Sequence, residues 1–317
     1  MGKIVIVPEL EARHLARIRD AAPGWELIAG KSAPGFMEHA KEAEIIGGWN
    51  RDVREAVLRP GTALKWVQNW SAGVDSLPLD RFKELGIALT SASGVHPYPI
   101  SETIFAMILG FARQIHVAVR HQTVRRWGQY GAMAEIHGRT IGILGAGAIG
   151  VETAKVAKAF GMRVIGVRRS GEPAEWIDEM YGMDGLNELL GRSDYIVNCL
   201  PHTPETFHLI GEEQFAAMKD GAFYVNIGRG KTTDSDALLA ALRSGKLAGA
   251  GLDVFEQEPL PAEHPFWAME NIILTPHNAG STTAYSDRVI DIFADNLKAY
   301  LQHGAPAVNV VQIDIGY

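Results

Sequence analysis

Three polar residues late in the chain are of the types needed to place a proton on an oxygen that is gaining negative charge. Arg229 closes the run Val225-Asn226-Ile227-Gly228-Arg229-Gly230, Glu258 lies in Asp253-Val254-Phe255-Glu256-Gln257-Glu258-Pro259, and His277 follows Leu274-Thr275-Pro276. A guanidinium can grip a carboxylate, an imidazole can give or take a proton near neutral pH, and a carboxylate can orient that imidazole and favour its charged form. Taken singly, the three read as a turn cap, a solvated acid and a surface histidine. Each, however, follows a short apolar run, and ligands of doubly wound sheets gather beyond the carboxyl ends of the strands. Together they describe an acid–base site for a substrate that carries a carboxylate, and they call for no metal.

Upstream, Thr140-Ile141-Gly142-Ile143-Leu144-Gly145-Ala146-Gly147-Ala148-Ile149-Gly150 reads as an apolar strand that passes through a glycine turn into a helix. Gly145 permits the tight turn, Gly147 lets backbone approach a pyrophosphate, and Gly150 lets the helix pack against its strand. The amides of Ala148 and Ile149 then belong to a helix N-terminus, which attracts phosphate. The helical stretch Ile149–Phe160 ends at Gly161, and Arg163–Val167 supplies a second strand, which completes a βαβ unit for a dinucleotide.

About 20 residues beyond such a turn an acid usually accepts hydrogen bonds from the adenosine ribose. That place here holds Arg168, Arg169 and Ser170. Guanidinium groups pair with a 2′-phosphate that a carboxylate would repel, so NADP(H) is the preferred cofactor, with NAD(H) possible.

The elements that must position these residues alternate. Before the glycine turn, apolar runs recur at Ile4–Val7, Trp25–Ile28, Glu44–Gly47, Lys65–Asn69 and Ile87–Thr90, with helical stretches such as Glu9–Ala21 and Leu79–Leu85 between them. From Thr140 onward the series continues at Arg163–Val167, Tyr195–Leu200, Phe223–Ile227, Ala250–Val254 and Asn271–Leu274, which makes six strands. This alternation predicts an α/β protein with two doubly wound parallel-sheet domains. A single long helix is expected over Ile100–Val124, behind Pro97 and Pro99, as hinge and boundary. Helix Ala284–Leu301 finds no strand in the second sheet and is expected to return to the first domain. The division predicted is 1–98 with 286–317, and 99–285.

At 317 residues and 47% hydrophobic content, the chain can bury two cores. The formal charge of −7, with no block of Lys or Arg, offers nothing to nucleic acid. No apolar stretch is long enough for a bilayer, and Ile104–Ala112 reads as a buried helix. Met1-Gly2-Lys3 leads straight into a strand-like run rather than into a secretory leader. A lone cysteine, Cys199, fits a reducing compartment, so a cytoplasmic address is expected.

The chain also resembles the D-isomer-specific 2-hydroxyacid dehydrogenase family nearly end to end. The matching pieces are Ser71-Ala72-Gly73-Val74-Asp75, Gly145–Gly150, Leu200-Pro201-His202-Thr203-Pro204-Glu205-Thr206, Asn226–Gly230, Asp253–Pro259 and Thr275-Pro276-His277-Asn278-Ala279-Gly280. Among the branches it looks closest to the glyoxylate/hydroxypyruvate and broad 2-ketoacid reductases. The resemblance implies a Rossmann dinucleotide-binding domain beside a flavodoxin-like substrate domain, with the substrate in a cleft between the two. It also picks Glu258 rather than Glu256 as the acid that partners His277. Arg229 would hold a small 2-oxo acid by its carboxylate, and protonated His277 would donate to the 2-oxo oxygen as hydride arrives. Reduction then needs imidazolium and oxidation needs neutral imidazole.

Other roles follow from the same resemblance. Backbone amides at Ala72 and Gly73 would form a second carboxylate clamp, and Asp253 would meet the nicotinamide carboxamide or serve simply as a turn acid. Pro201, Thr206 and Thr103 match cofactor-contact positions. Trp49, His96, Trp267 and Tyr285 are candidate pocket walls, with core packing an equal account of the tryptophans. A homodimer is expected, paired through Ile100–Thr140. Two alternatives stay open on the residues alone: a phosphite-type dehydrogenase and a non-enzymatic dinucleotide sensor of the corepressor kind.

Overall fold

The computed structural model describes residues 2–74, 76–129 and 131–313. Asp75 of the Ser71–Asp75 match, Tyr130 of the expected pairing region and residues 314–317 of the expected first domain lie outside the described residues. The chain divides into two compact units, one formed by residues up to Val95 together with those from Thr282 onward, the other by His96–Ser281.

In the first unit β1 (Lys3–Ile6), β2 (Glu26–Ala29), β3 (Ile45–Gly47), β4 (Trp66–Gln68) and β5 (Ala88–Thr90) form a parallel sheet in the order β2-β1-β3-β4-β5. Helices α1 (Ala12–Ala21), α2 (Phe36–Glu42), α3 (Arg51–Val57) and α4 (Leu79–Leu85) make the crossovers. Ile4, Val5 and Ile6 are buried because both faces of a parallel sheet are covered. The last helix of the chain, Tyr285–His303, belongs to this unit: its Ile290, Phe293, Ala294 and Leu297 pack with Ile18 and Ala21 of α1 over Ile4, Ile6 and Trp66.

The second unit begins with α5 (Pro97–Ala112) and α6 (Ile115–Thr123) and continues through β6 (Thr140–Leu144), α7 (Ala148–Ala159), β7 (Arg163–Val167) and β8 (Glu179–Tyr181). There follow α8 (Leu186–Arg192), β9 (Tyr195–Asn198), α9 (Glu212–Ala217), β10 (Ala222–Asn226), α10 (Ser235–Arg243), β11 (Leu247–Leu252) and β12 (Ile272–Leu274), with α11 being Tyr285–His303. The sheet is parallel, in the order β12-β11-β10-β9-β6-β7-β8.

The α/β architecture with two parallel sheets is as the alternation predicts, and two details differ. The second sheet has a seventh strand, β8, which the apolar pattern conceals because Glu179-Met180-Tyr181 is half-buried at the edge and carries no apolar run. Its side chains are held instead by polar contacts: Arg192 Nη1 donates to Glu179 Oε2 at 2.7 Å, and Tyr181 Oη donates to Glu179 Oε2 at 2.9 Å. Arg192, Tyr181 and Arg163 together pull the Glu179 carboxyl down to about 2. The long helix expected over Ile100–Val124 is two helices bent by 73°. Gln114 sits in the left-handed region, at φ 56°, and Arg120 on α6 donates to the carbonyls of Glu270 (2.6 Å) and Ile272 (3.3 Å), so tertiary contact redirects the chain. Among the described residues no single helix is long and apolar enough to cross a membrane.

Candidate active site

The ends of three neighbouring strands bring the acid–base residues onto one edge. Asn226 of β10, Leu252 of β11 and Leu274 of β12 stand level in register. Parallel strands lie about 4.8 Å apart, and Arg229, Glu258 and His277 occur three, six and three residues past those ends. The three loops therefore leave the same carboxyl edge side by side.

Buried polar groups shape these loops. Asn226 Oδ1 accepts from Gly228 N at 3.1 Å, Asn226 Nδ2 donates to Arg229 O at 3.3 Å, and Thr232 Oγ1 donates to the same carbonyl at 2.7 Å. Beneath them Asn198 Nδ2 donates to Tyr224 Oη and to Thr232 Oγ1, both at 2.9 Å. Burial pushes the Tyr224 phenol well above its ordinary value, so it serves here as a neutral hydrogen-bonding group. The turn that carries Arg229 also touches the loop that carries Glu258. A Cβ added at Gly230 would fall 1.9 Å from the Phe255 carbonyl carbon, so this contact requires glycine.

Glu258 and His277 meet. His277 Nδ1 and Glu258 Oε2 are 2.6 Å apart, and Glu258 Oε1 accepts from Phe255 N at 2.9 Å, so both carboxylate oxygens are engaged. Nδ1 is thereby directed at the acid, and Nε2 is the ring nitrogen that the acid does not engage. The His277 backbone lies in the left-handed region at φ 51°, uncommon for a residue with a side chain. Asp253 enforces that conformation. The Asp253 carboxylate is 2% exposed and accepts from Thr275 Oγ1 (2.6 Å), Asn278 N (2.9 Å) and Ala279 N (3.1 Å), while the Asp253 carbonyl accepts from His277 N (2.8 Å). Asp253 thus builds the platform under His277. Arg229 is half-buried, with Nη1 donating to Gly228 O at 2.9 Å.

The glycine turn fits a dinucleotide. Gly145 has φ 91°, open to glycine at low cost, and a Cβ there would lie 3.1 Å from Cys199 O. At Gly150 a Cβ would meet Gly145 O at 2.6 Å and Ile143 Cγ2 at 3.0 Å, which is the close helix–strand packing. Gly147 differs: nothing lies within 4 Å of a Cβ there, so its hydrogen keeps open a space that a methyl group would fill. Gly147 and Ala148 are exposed at the start of the 12-residue helix α7, which has no side-chain cap, and its first-turn amides, including those of Ile149 and Gly150, point out of the helix. This is a cradle for phosphate.

Arg168, Arg169 and Ser170 follow β7 at the same edge. Arg168 Nη2 donates to Pro173 O at 2.8 Å, and its Nε is buried with no acceptor among the described residues. Thr206 Oγ1 is spent within its own loop, donating to Pro201 O at 2.7 Å and accepting from Thr203 N at 2.8 Å. Thr103 Oγ1 donates to Pro99 O at 3.0 Å and to Ala279 O at 3.5 Å, which ties α5 to the His277 turn. His96 Nδ1 pairs with Gly280 O at 3.1 Å. Trp267 is exposed, with Nε1 donating to Pro261 O.

Trp49, Ala72 and Gly73 belong to the first unit, at the carboxyl ends of β3 and β4. Asn69 Nδ2 donates to the carbonyls of Ser71 (2.8 Å) and Gly73 (3.0 Å), and the amides of Ala72 and Gly73 make no hydrogen bond among the described residues. Trp49 packs against Phe82 with ring centroids 5.5 Å apart, and its Nε1 is buried without a partner among the described residues. Tyr285 Oη donates to Trp70 O.

Sequence reasoning missed the parts played by Asn198, Asn226 and Thr232. The available signal was an asparagine closing each of two apolar strands, where a side-chain amide satisfies the turn that follows.

A Gly-rich turn at a helix N-terminus, an arginine-bearing second strand end and a His–Glu pair on one carboxyl edge define a nicotinamide-dinucleotide-dependent oxidoreductase. Comparison with known proteins is specific. The family described as D-isomer specific 2-hydroxyacid dehydrogenase, NAD binding domain, matches residues 105–279. A glyoxylate reductase of Korarchaeum cryptofilum is 33% identical, covering 96% of this chain and 94% of its own. A family protein of known structure from Aeromonas salmonicida superposes with TM-score 0.86 at 34% identity, covering 99% of both chains. The NADPH-dependent glyoxylate/hydroxypyruvate reductase of Sinorhizobium meliloti, solved with NADP and sulfate, superposes with TM-score 0.82 at 29% identity over the whole of both chains. The chain belongs to the D-isomer specific 2-hydroxyacid dehydrogenase family and is an NAD(P)-dependent oxidoreductase.

Proposed function

We propose that this protein reduces small 2-oxo acids, of glyoxylate or hydroxypyruvate size or somewhat larger, to D-2-hydroxy acids, with NADP(H) preferred over NAD(H). The observation that carries this reading is the 2.6 Å contact between His277 Nδ1 and Glu258 Oε2, on the sheet edge that also bears the glycine turn. A bound nicotinamide dinucleotide supplies the hydride. Gly145, Gly147 and the first amides of α7 hold its pyrophosphate, and Arg168, Arg169 and Ser170 hold the 2′-phosphate.

Arg229 binds the substrate carboxylate and polarises the 2-oxo group, an interaction that strengthens as the oxygen becomes an alkoxide. His277, protonated, donates from Nε2 to that oxygen. Glu258, fixed by the Phe255 amide, keeps the ring oriented and compensates its charge. Asp253 and Asn226 act one step back, shaping the turns that aim His277 and Arg229.

A panel of glyoxylate, hydroxypyruvate and larger 2-oxo acids, each run with NADPH and NADH, tests this. We expect turnover of the smaller acids and kcat/KM with NADPH about tenfold above that with NADH, a margin that Arg168→Ala removes by losing a charge-assisted contact. Equal or better use of NADH refutes the cofactor preference, and inertness toward every 2-oxo acid refutes the reaction.

The protein also pairs with itself in this reading. Ile115, Val119, Val124 and the fully exposed Trp127 line α6 and the chain after it, an apolar stretch of the kind two copies bury together. Light scattering should give about twice the chain mass of 34.5 kDa, and a monomer mass removes the pairing. A cytoplasmic address fits the single cysteine, Cys199, which is only partly buried.

A further inference from the structure

The loop Asp253–Pro259 supplies carboxylates to two histidines. Glu258 goes to His277, and Glu256, two residues earlier, goes to His208, with His208 Nε2 and Glu256 Oε2 2.7 Å apart. Both histidines sit in the left-handed backbone region, His208 at φ 48° and His277 at φ 51°. Strain of that kind persists only where the surroundings enforce it.

The surroundings of His208 are three loops. Its own loop runs from the end of β9 through Pro201 and Thr206. His208 N donates to Lys231 O at 2.9 Å and Ile210 N to Thr232 O at 3.0 Å, which knits that loop to the turn after Arg229. Glu256 Oε1 accepts from Ser235 N at 2.8 Å, at the start of α10, so the carboxylate bridges α10 and His208. Phe207 stacks on the imidazole, centroids 4.1 Å apart, and Asp234 Oδ2 lies 4.0 Å from Nδ1. Burial alone would raise the Glu256 carboxyl; the hydrogen bonds from Ser235 and His208 outweigh it and hold the group ionised.

We propose that His208 and Glu256 are positioning residues: their contact fastens the loop carrying Glu258 to the turn carrying Arg229 and to the loop after β9. This rests on the reading of Arg229, Glu258 and His277 as the reacting groups. The reason is mechanical. Glu258 is held to its own loop through Phe255 N, so its aim toward His277 is only as fixed as that loop. Gly230 lets the Arg229 turn touch Phe255 by backbone contact, which sets the approach of the two loops but supplies no directional bond. The His208–Glu256 bond adds direction at the next residue. Its Nε2 is spent on Glu256, which gives the pair a geometric task and no proton-transfer task of its own.

The test compares Glu256→Ala, Glu256→Gln and the double variant His208→Ala/Glu256→Ala with the wild type. Glutamine can accept from the Ser235 amide through its one carbonyl oxygen and donate from its amide nitrogen to His208 Nε2 in the Nδ1-protonated tautomer, whereas alanine can do neither. With glyoxylate and NADPH, Glu256→Ala should lower kcat roughly tenfold or more, as expected for a misplacement smaller than the ångström that costs about a hundredfold. NADPH affinity, read by nucleotide fluorescence, and the melting temperature should stay near wild type. Glu256→Gln should restore most of kcat, and the double variant should be no worse than Glu256→Ala.

Independently of turnover, the His277 Nδ1–H resonance in imidazole NMR of the protein without substrate should broaden or vanish in Glu256→Ala and survive in Glu256→Gln. An unchanged His277 resonance, an unchanged kcat, or a loss that glutamine fails to restore overturns the proposal. A wild type inert toward every 2-oxo acid would sink the assigned reaction instead, and the NMR comparison would still decide the positioning role.

Discussion

His277→Ala lowers turnover of the 2-oxo acid by about 10³-fold or more, the upper part of the range that a positioned general acid supplies. The expectation comes from geometry. His277 is exposed, so the substitution leaves no cavity, and its backbone is held by Asp253 regardless of side chain. The phosphate cradle is on a different strand end, at Gly145–Gly150 after β6, so dinucleotide affinity should remain within about twofold. His277→Asn is the control for the φ of 51°, because asparagine tolerates the left-handed region yet supplies no acid. Both variants should fail alike.

The wild type should also respond to pH in opposite senses. Reduction needs the imidazolium and fades as pH rises; oxidation of the hydroxy acid needs the neutral ring and fades as pH falls. Those limbs should disappear in the variants. Near-normal turnover in His277→Asn would remove His277 from the mechanism.

Gly230→Ala damages both stability and activity. The added Cβ would stand 1.9 Å from the Phe255 carbonyl carbon, 2.0 Å from its oxygen and 2.5 Å from Glu256 N, all backbone atoms that cannot turn aside. The Arg229 turn and the Asp253–Pro259 loop must therefore separate. Overpacking of a well-filled contact costs about 1–3 kcal/mol and occasionally more, which in a chain of this size should lower the melting temperature by roughly 2–5 °C. Because the separated loops carry Arg229 and Glu258, kcat should drop by at least roughly a hundredfold, the cost of misplacing groups by about an ångström. Thermal melts and steady-state kinetics read the two losses. A variant with wild-type melting and wild-type kcat would show that the loops do not meet at Gly230.

Much of the architecture was legible from short-range pattern. The buried parallel strands announce themselves as runs such as Ile4-Val5-Ile6 and Tyr195-Ile196-Val197, and the glycines at 145 and 150 mark a turn and a close packing that nothing larger could occupy. The exceptions are informative. The edge strand β8 is stabilised by Arg163 and Arg192 around Glu179 rather than by apolar side chains, so no hydrophobic run betrays it. The break between α5 and α6 is equally silent, because Gln114 and the reach of Arg120 to the carbonyls before β12 decide it from 150 residues away. The bonds that Asp253 accepts from Thr275, Asn278 and Ala279 join residues 22 to 26 positions apart, which its own motif does not announce.

The amino-acid sequence by itself determined the alternation of strands and helices, the glycine turn, the arginines where an acid usually stands, and which residues had the chemistry of acid, base and anion holder. These depend on backbone stereochemistry and periodicity, which act over a few residues. The tertiary structure alone decided that Glu256 faces His208, how closely the Arg229 turn approaches Phe255, and that Asp253 braces His277. Those outcomes depend on the register of neighbouring parallel strands, and register joins residues tens of positions apart that no local pattern connects.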